Sequence, residues 1–309
     1  MRKPGRRIVL TGSLAALVAA RVARGDAVDE VALWPGEPPG GGGPSGAPRV
    51  SRNGAMSGIS RPGLTVFRPG RPNGAAVLIA AGGGYRRIEM GSEAVPAARW
   101  LNTLGITAFV LSYRLPGEGW GAGRLAPFQD ARRALRLVRY RAGEFRVDPQ
   151  RIGVLGFSSG GHLMGMTGTR PEWDLYAPVD AIDTVSDRVA LSLLIYPVIT
   201  LEPPFAGTRT RRVLVGDDPS VAESAAWSVQ TYVRRGDAPF FLVQAADDPV
   251  AAPDNTKIMQ NVCQERGVSV VRHLFPAGGH GFGVGRAGTL TTEWPGMANL
   301  WMRGHHFME

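Results

Sequence analysis

Cys263 is the only cysteine in a chain of 309 residues. One thiol can neither close an internal disulfide nor build a cysteine-based zinc site. The sequence also lacks a heptad pattern and an internal repeat. Its N-terminal apolar run, residues 8–20, is short of the roughly 20 residues that a membrane-spanning helix needs. A concentrated basic patch is missing as well. Residues 1–27 hold Arg2, Lys3, Arg6, Arg7, Arg21 and Arg24 against Asp26, and removing them from the net charge of +9 leaves about +4, scattered along the chain. That distribution gives no footprint for nucleic acid. Neither a G-x-G-x-x-G stretch nor a lysine-bearing phosphate loop is present, and no lysine lies near the glycine run Gly82–Gly84, which excludes a nucleotide-phosphate loop there.

What remains is an ordinary globular composition, 44% hydrophobic and 20% charged, with enough length for a large core. The basic start, the apolar run and the small residues Gly25-Asp26-Ala27 predict an export signal over residues 1–27. Arg6-Arg7 before Ile-Val-Leu resembles a twin-arginine signal. The expected product is periplasmic or secreted, without stable membrane association after signal removal, and without disulfides it relies on its core. Residues 28–60 read as an extended lead-in, because the Pro- and Gly-rich stretch 37–52 has no pattern for regular structure. Residues 61–309 read as the main domain.

Along that domain, apolar runs alternate with amphipathic stretches. Strands are expected at 75–81, 106–112, 152–157, 189–196, 240–245 and 268–275. Helices are expected at 92–104, 127–145, 158–168, 222–235, 254–266 and 291–302. Strands apolar throughout, alternating with helices, predict an α/β fold: a mostly parallel central sheet with helices on both faces. Ligands bind such sheets outside the carboxyl ends of the strands. The loop-like segments 170–187 and 201–220 are candidate walls or a small lid.

The most telling stretch is Gly156-Phe-Ser158-Ser-Gly160-Gly-His162 at the end of the strand 152–157. A serine between small residues can occupy a strained strand-to-helix turn that lifts its hydroxyl clear of the sheet. The hydroxyl needs a base. Of the five histidines, His280 follows the last strand between glycines that leave its ring free to lean over a site. His273 lies within a strand, His305 and His306 lie in a tail, and His162 points along the helix away from an elbow serine. The third group must orient the imidazole. Asp247 and Asp248 both end the strand 240–245, and the spacing Asp-x-x-Val favours Asp247, with Asp248 left to face solvent or cap the turn. Gly82–Gly84 follows the first strong strand, so N–H groups of Gly83 and Gly84, with that of Ser159, are the expected oxyanion donors.

The motifs Ala81-Gly-Gly-Gly-Tyr85, Ser112-Tyr-Arg-Leu115, Gln129-Asp-Ala-Arg-Arg133, Gly156-Phe-Ser-Ser-Gly-Gly-His162, Asp247-Asp-Pro-Val250 and Gly278-Gly-His-Gly-Phe-Gly283 occur in order. As a set, from about Val31 onward, they resemble α/β-hydrolase fold carbohydrate esterases of the acetyl-xylan type, within the broader esterase/lipase group related to hormone-sensitive lipase. Leu33-Trp-Pro-Gly36 looks like the lead-in of that group. The chain order serine, aspartate, histidine is that of the α/β-hydrolase fold. The resemblance implies Ser158 as nucleophile, His280 as base, Asp247 as orienting acid, Arg114, Asp130 and Arg133 as structural residues beneath the site, and no metal or other cofactor. It implies a serine esterase removing short acyl groups, acetyl above all, from a small-molecule or polysaccharide ester such as xylan. The lipase-like branch carries a histidine where this chain has Ala81, which favours the carbohydrate-esterase branch. A feruloyl or aryl esterase stays open, as does a prolyl-oligopeptidase-like serine peptidase, although the latter usually adds a propeller and no repeat is present. A non-catalytic hydrolase-like binding protein normally lacks a triad member, and all three are present here.

Overall fold

The computed structural model describes residues 28–309 except Glu172 and Ala206. The export signal expected over residues 1–27 lies outside the described residues. An eight-stranded sheet organises the rest, in the order β1 (Val28–Ala32), β4 (Gly63–Phe67), β6 (Thr107–Ser112), β5 (Ala76–Ala80), β7 (Ile152–Phe157), β8 (Ser192–Ile195), β9 (Phe240–Ala245), β10 (Val270–Phe275). The pairs β1–β4 and β4–β6 are antiparallel, and every pair from β6 to β10 is parallel. β2 (Arg49–Val50) and β3 (Met56–Ser57) form a separate small ribbon.

β5, β7, β8 and β9 are buried along their whole length, as expected of strands covered on both faces. The covering helices are α1 (Val95–Thr103), α2 (Ala126–Tyr140), α3 (Ser158–Thr169), α4 (Arg209–Val215), α5 (Val221–Ala226), α6 (Asp254–Glu265) and α7 (Trp294–Gly304). From β5 the chain crosses to β6 on one side, then returns to β7 on the other. The crevice at the carboxyl ends of β5 and β7 is therefore the point where the strand order reverses, the position where such sheets bind ligands.

Residues 28–60, expected as an extended lead-in, are tied to the main domain, and one expected helix ends early. β1 extends the sheet, Leu33 and Trp34 are buried, and three side chains of the main domain hold the segment. Asp130 accepts from Trp34 Nε1 at 2.8 Å, Arg133 Nε donates to the Leu33 carbonyl at 2.8 Å, and Arg114 Nη1 donates to the Pro39 carbonyl at 2.9 Å. Composition suggested irregular backbone. It could not show that buried arginines would anchor it. The helix expected over 222–235 stops at Ala226, because Val229 N–H turns to the Ile199 carbonyl at 2.8 Å and Ser228 Oγ accepts from Leu201 N–H at 2.8 Å. β4 carried no clear apolar run and was not expected at all.

Candidate active site

Ser158 sits where β7 passes into α3, with φ of 51°, a left-handed conformation that costs a non-glycine residue energy. The surrounding packing enforces it. A Cβ on Gly156 would lie 2.3 Å from the Gly160 carbonyl oxygen, and one on Gly160 would lie 2.1 Å from the Ala80 carbonyl oxygen. Only glycines let α3 start this close to β5 and β7. The sharp turn directs the Ser158 hydroxyl into a cavity of about 640 Å³ that Gly83, Gly84 and His280 also line.

Ser158 Oγ lies 2.8 Å from His280 Nε2, and His280 Nδ1 lies 2.8 Å from Asp248 Oδ2. A carboxylate only accepts, so Nδ1 carries the proton, and Nε2 is left to accept from the serine hydroxyl. The ring of Tyr196 packs edge-on against the imidazole at 5.0 Å. The Asp248 carboxylate is itself held. Oδ1 accepts from the N–H groups of Val250 at 2.8 Å and Ala251 at 2.9 Å, and Oδ2 accepts from Gln244 Nε2 at 2.8 Å.

The carboxylate that meets the imidazole is thus Asp248, not the expected Asp247. Asp247 is exposed, and its Oδ1 accepts from Gly279 N–H at 2.7 Å, so it fastens the loop that carries His280. The Asp-x-x-Val spacing does not select the inward residue, since Val250 is exposed. Ala251, three residues after Asp248, is the buried one, and its N–H reaches back to Asp248 Oδ1.

The glycine loop also departs from expectation at one position. Gly84 N–H donates to Ser159 Oγ at 2.8 Å and so points away from the Ser158 hydroxyl. Gly82 N–H donates to Glu93 Oε2 at 2.5 Å. Gly83, with φ of 122°, lines the cavity, and Ser159 stands in the first turn of α3, where N–H groups have no carbonyl one turn back.

His162 is buried away from the cavity. Its Nδ1 lies 3.0 Å from Tyr85 Oη and its Nε2 lies 2.7 Å from the Trp227 carbonyl, so Nε2–H donates and Nδ1 accepts. Burial pulls its pKa down to about 4. His273 packs against Phe241 within β10, and His305 and His306 are exposed. Arg114, Asp130 and Arg133 are buried beside the lead-in, with Arg114 Nε 3.0 Å from Asp130 and Arg133 bonded to Asp180 and Asp183. Of the two loop segments, 201–220 walls the cavity through Thr208, Arg209, Thr210 and Arg212. No described residue of segment 170–187 lines it. Its Tyr176, Asp180 and Asp183 pack against Trp34 and the arginines of α2 instead.

Glu93 escaped the sequence analysis, where it was one polar residue in a helical stretch. It is buried behind Ser158, accepting from Gly82 N–H and from the Tyr196 hydroxyl at 3.0 Å, while Tyr196 Oη accepts from Gly283 N–H at 3.0 Å. One side chain thereby ties the glycine loop to the histidine loop. Burial pushes its pKa up to about 7, against the pull of those two hydrogen bonds. Among the described residues, no group of three or more His, Cys, Asp or Glu is placed to hold a metal ion.

Sheet order, elbow and crevice together define an α/β-hydrolase. Residues 70–262, more than half of the chain, match the BD-FAE family, and the chain belongs to that family. It is 31% identical to the acetyl ester-xyloside bifunctional hydrolase from Caldicellulosiruptor lactoaceticus, whose solved structure superposes with a TM-score of 0.76 over 91% of this chain and 97% of that one. It is 29% identical over 228 residues to an acetylxylan esterase of Xylanibacter ruminicola, covering 72% of this chain and 44% of that protein. It is 28% identical over 208 residues to endo-1,4-beta-xylanase B of Butyrivibrio fibrisolvens, covering 67% of this chain and 32% of that protein. The chain therefore spans less than half the length of either. The Thermogutta terrifontis esterase Est2, at 23% identity and a TM-score of 0.67, shares the fold.

Proposed function

We propose that the chain is a serine carboxylic-ester hydrolase that removes short acyl groups, acetyl first, from carbohydrate esters such as acetylated xylan. The observation that carries this reading is the unbroken line of hydrogen bonds from Ser158 Oγ through His280 to Asp248 at the mouth of the crevice. His280 Nε2 takes the proton as Ser158 Oγ attacks the ester carbonyl. The imidazolium so formed is stabilised by the Asp248 carboxylate. The N–H groups of Gly83 and Ser159 receive the oxyanion, a donor set whose members are each worth about 2.7–4 kcal/mol in the transition state. The imidazolium returns the proton to the departing alcohol, leaving an acyl group on Ser158. Water, deprotonated by His280, then attacks that acyl group and releases the acid.

The acetyl and xylan preference is supported by what the relatives are named for: an acetylxylan esterase and an acetyl ester-xyloside hydrolase. Such a substrate suits an exported enzyme, in line with the signal expected over residues 1–27. No helix among the described residues is long and apolar enough to cross a membrane.

The test is hydrolysis of p-nitrophenyl acetate, butyrate and octanoate beside Ser158→Ala, followed by acetate release from acetylated xylan. The expected result is activity that is highest on acetate, falls with acyl length and disappears in the variant. Folded protein inactive on every ester would overturn the reading.

A further inference from the structure

A second cavity of about 650 Å³ adjoins the one that holds Ser158, and the two share Arg209 and Arg212 of α4. Its wall brings together arginines from distant parts of the chain: Arg49 of β2, Arg86 from just past the glycine loop, and the α4 pair. All four are exposed. One carboxylate, Glu118, lines the same wall, and it is already committed to the backbone N–H groups of Gly58 and Ile59. Among the described residues, no ion pair joins Arg49, Arg86, Arg209 or Arg212 to a carboxylate. Other arginines of the chain do meet carboxylates: Arg87 pairs with Glu89 at 2.5 Å, Arg114 with Asp130 at 3.0 Å, and Arg124 with Glu223 at 2.6 Å.

The position of Arg209 connects this charge to the chemistry. Its Cβ, Cγ and Cδ lie 3.0–3.1 Å from where a Cβ of Gly84 would stand, so its stem covers the glycine loop beside Ser158. A cleft lined by one sign of charge focuses the field on whatever enters it, and guanidinium groups match planar oxyanions with paired hydrogen bonds. The acyl group is bound next to Ser158 and the oxyanion donors. A neighbouring cavity along the same groove is the natural place for the alcohol part of the ester.

We propose that this second cavity is a subsite for an anionic group on the alcohol part, so that the preferred substrates are acylated carbohydrates bearing a carboxylate rather than neutral acylated sugars. The inference rests on the ester-hydrolase reading and names the substrate class of that site. Carboxylate and sulfate share the recognising chemistry, and the experiment separates them.

The probe is 4-nitrophenyl β-D-glucuronide acetylated on its ring hydroxyls, compared with its carboxyl methyl ester and with an acetylated 4-nitrophenyl glucoside 6-sulfate, reading acetate release. The expected result is a kcat/KM for the free carboxylate about ten- to a hundredfold above that for the methyl ester at low salt, the range that charge-assisted hydrogen bonds supply. That ratio should shrink as salt is raised and fall to about one in Arg209→Gln/Arg212→Gln. Because the ratio is taken within each protein, a partly folded variant cannot mimic its loss. Preference for the glucuronide alone assigns the subsite to carboxylates, and equal preference for the sulfate assigns it to oxyanions in general. A methyl ester cleaved as well as the free acid, or a ratio that survives the double substitution, overturns the subsite and leaves the esterase reading standing. Cleavage of none of the three by folded protein overturns both.

Discussion

Asp247 and Asp248 are chemically identical neighbours with different work, and the difference comes from which one the turn after β9 folds inward. Asp248 receives two backbone N–H groups and the Gln244 amide, then faces His280 Nδ1. Asp247 braces the backbone of the histidine loop at Gly279. Asp248→Asn should lower kcat by about 10⁴-fold, because the amide leaves the imidazole without its orienting anion. Asp247→Asn removes one hydrogen-bond charge at an exposed site and should cost on the order of tenfold or less. Steady-state kinetics on p-nitrophenyl acetate separates the two; equal losses would contradict the geometry. Ser158 and His280 were legible in the sequence because glycines surround each and mark a tight turn. No such mark distinguishes two adjacent aspartates.

At the scale of elements, the site depends on how closely α3 approaches the sheet. Gly160 meets the carbonyls at the end of β5 with no room for a methyl group, 2.1 Å from the Ala80 oxygen. Gly160→Ala should destabilise the fold by at least the roughly 1–3 kcal/mol typical of overpacking, and should displace Ser158 with it. Urea unfolding and p-nitrophenyl acetate turnover would fall together. β7 and β9 begin and end where the apolar runs predicted, since strands buried on both faces leave an unmistakable run. β1 and β4 are antiparallel strands at one side of the sheet and carry weaker patterns, so they were not legible. Their neighbour Trp34 reports on that side of the sheet. Trp34→Phe keeps an aromatic side chain, though a smaller one, and removes the N–H that Asp130 accepts; a loss of about 1–3 kcal/mol in unfolding free energy is expected.

For the molecule as a whole, two buried titratable groups set opposing pH dependences. The Glu93 carboxyl titrates near 4.5 when unfolded and about 7 when folded. Between those values the folded state keeps a proton that the unfolded state has lost, so the stability this group contributes is complete below about 4.5 and declines as pH rises to 7. His162 titrates near 6.5 when unfolded and about 4 when folded. There the unfolded state binds the extra proton, so its contribution is complete above 6.5 and declines as pH falls. From 4.5 to 6.5 the two slopes oppose each other. Glu93→Gln should remove one of them. The stability of the variant relative to wild type should rise by about 3 kcal/mol from pH 4.5 to 7, read from urea unfolding across that range. A difference that stays constant with pH would place the Glu93 carboxyl in an ordinary environment.

The sequence by itself determined the alternation of buried strands and helices, the elbow at Ser158 and the histidine that follows the last strand. Each of these is a local pattern: an apolar run, a set of small residues, glycines flanking a ring. Only the tertiary structure decided that Asp248 rather than Asp247 meets the imidazole, that Gly84 spends its N–H on Ser159, and that Glu93 joins the glycine loop to the histidine loop. It also decided that arginines spread from residue 49 to residue 212 share one wall. Those outcomes depend on which groups the packed sheet brings within hydrogen-bonding distance, and distances between segments far apart in the chain leave no trace in local spacing.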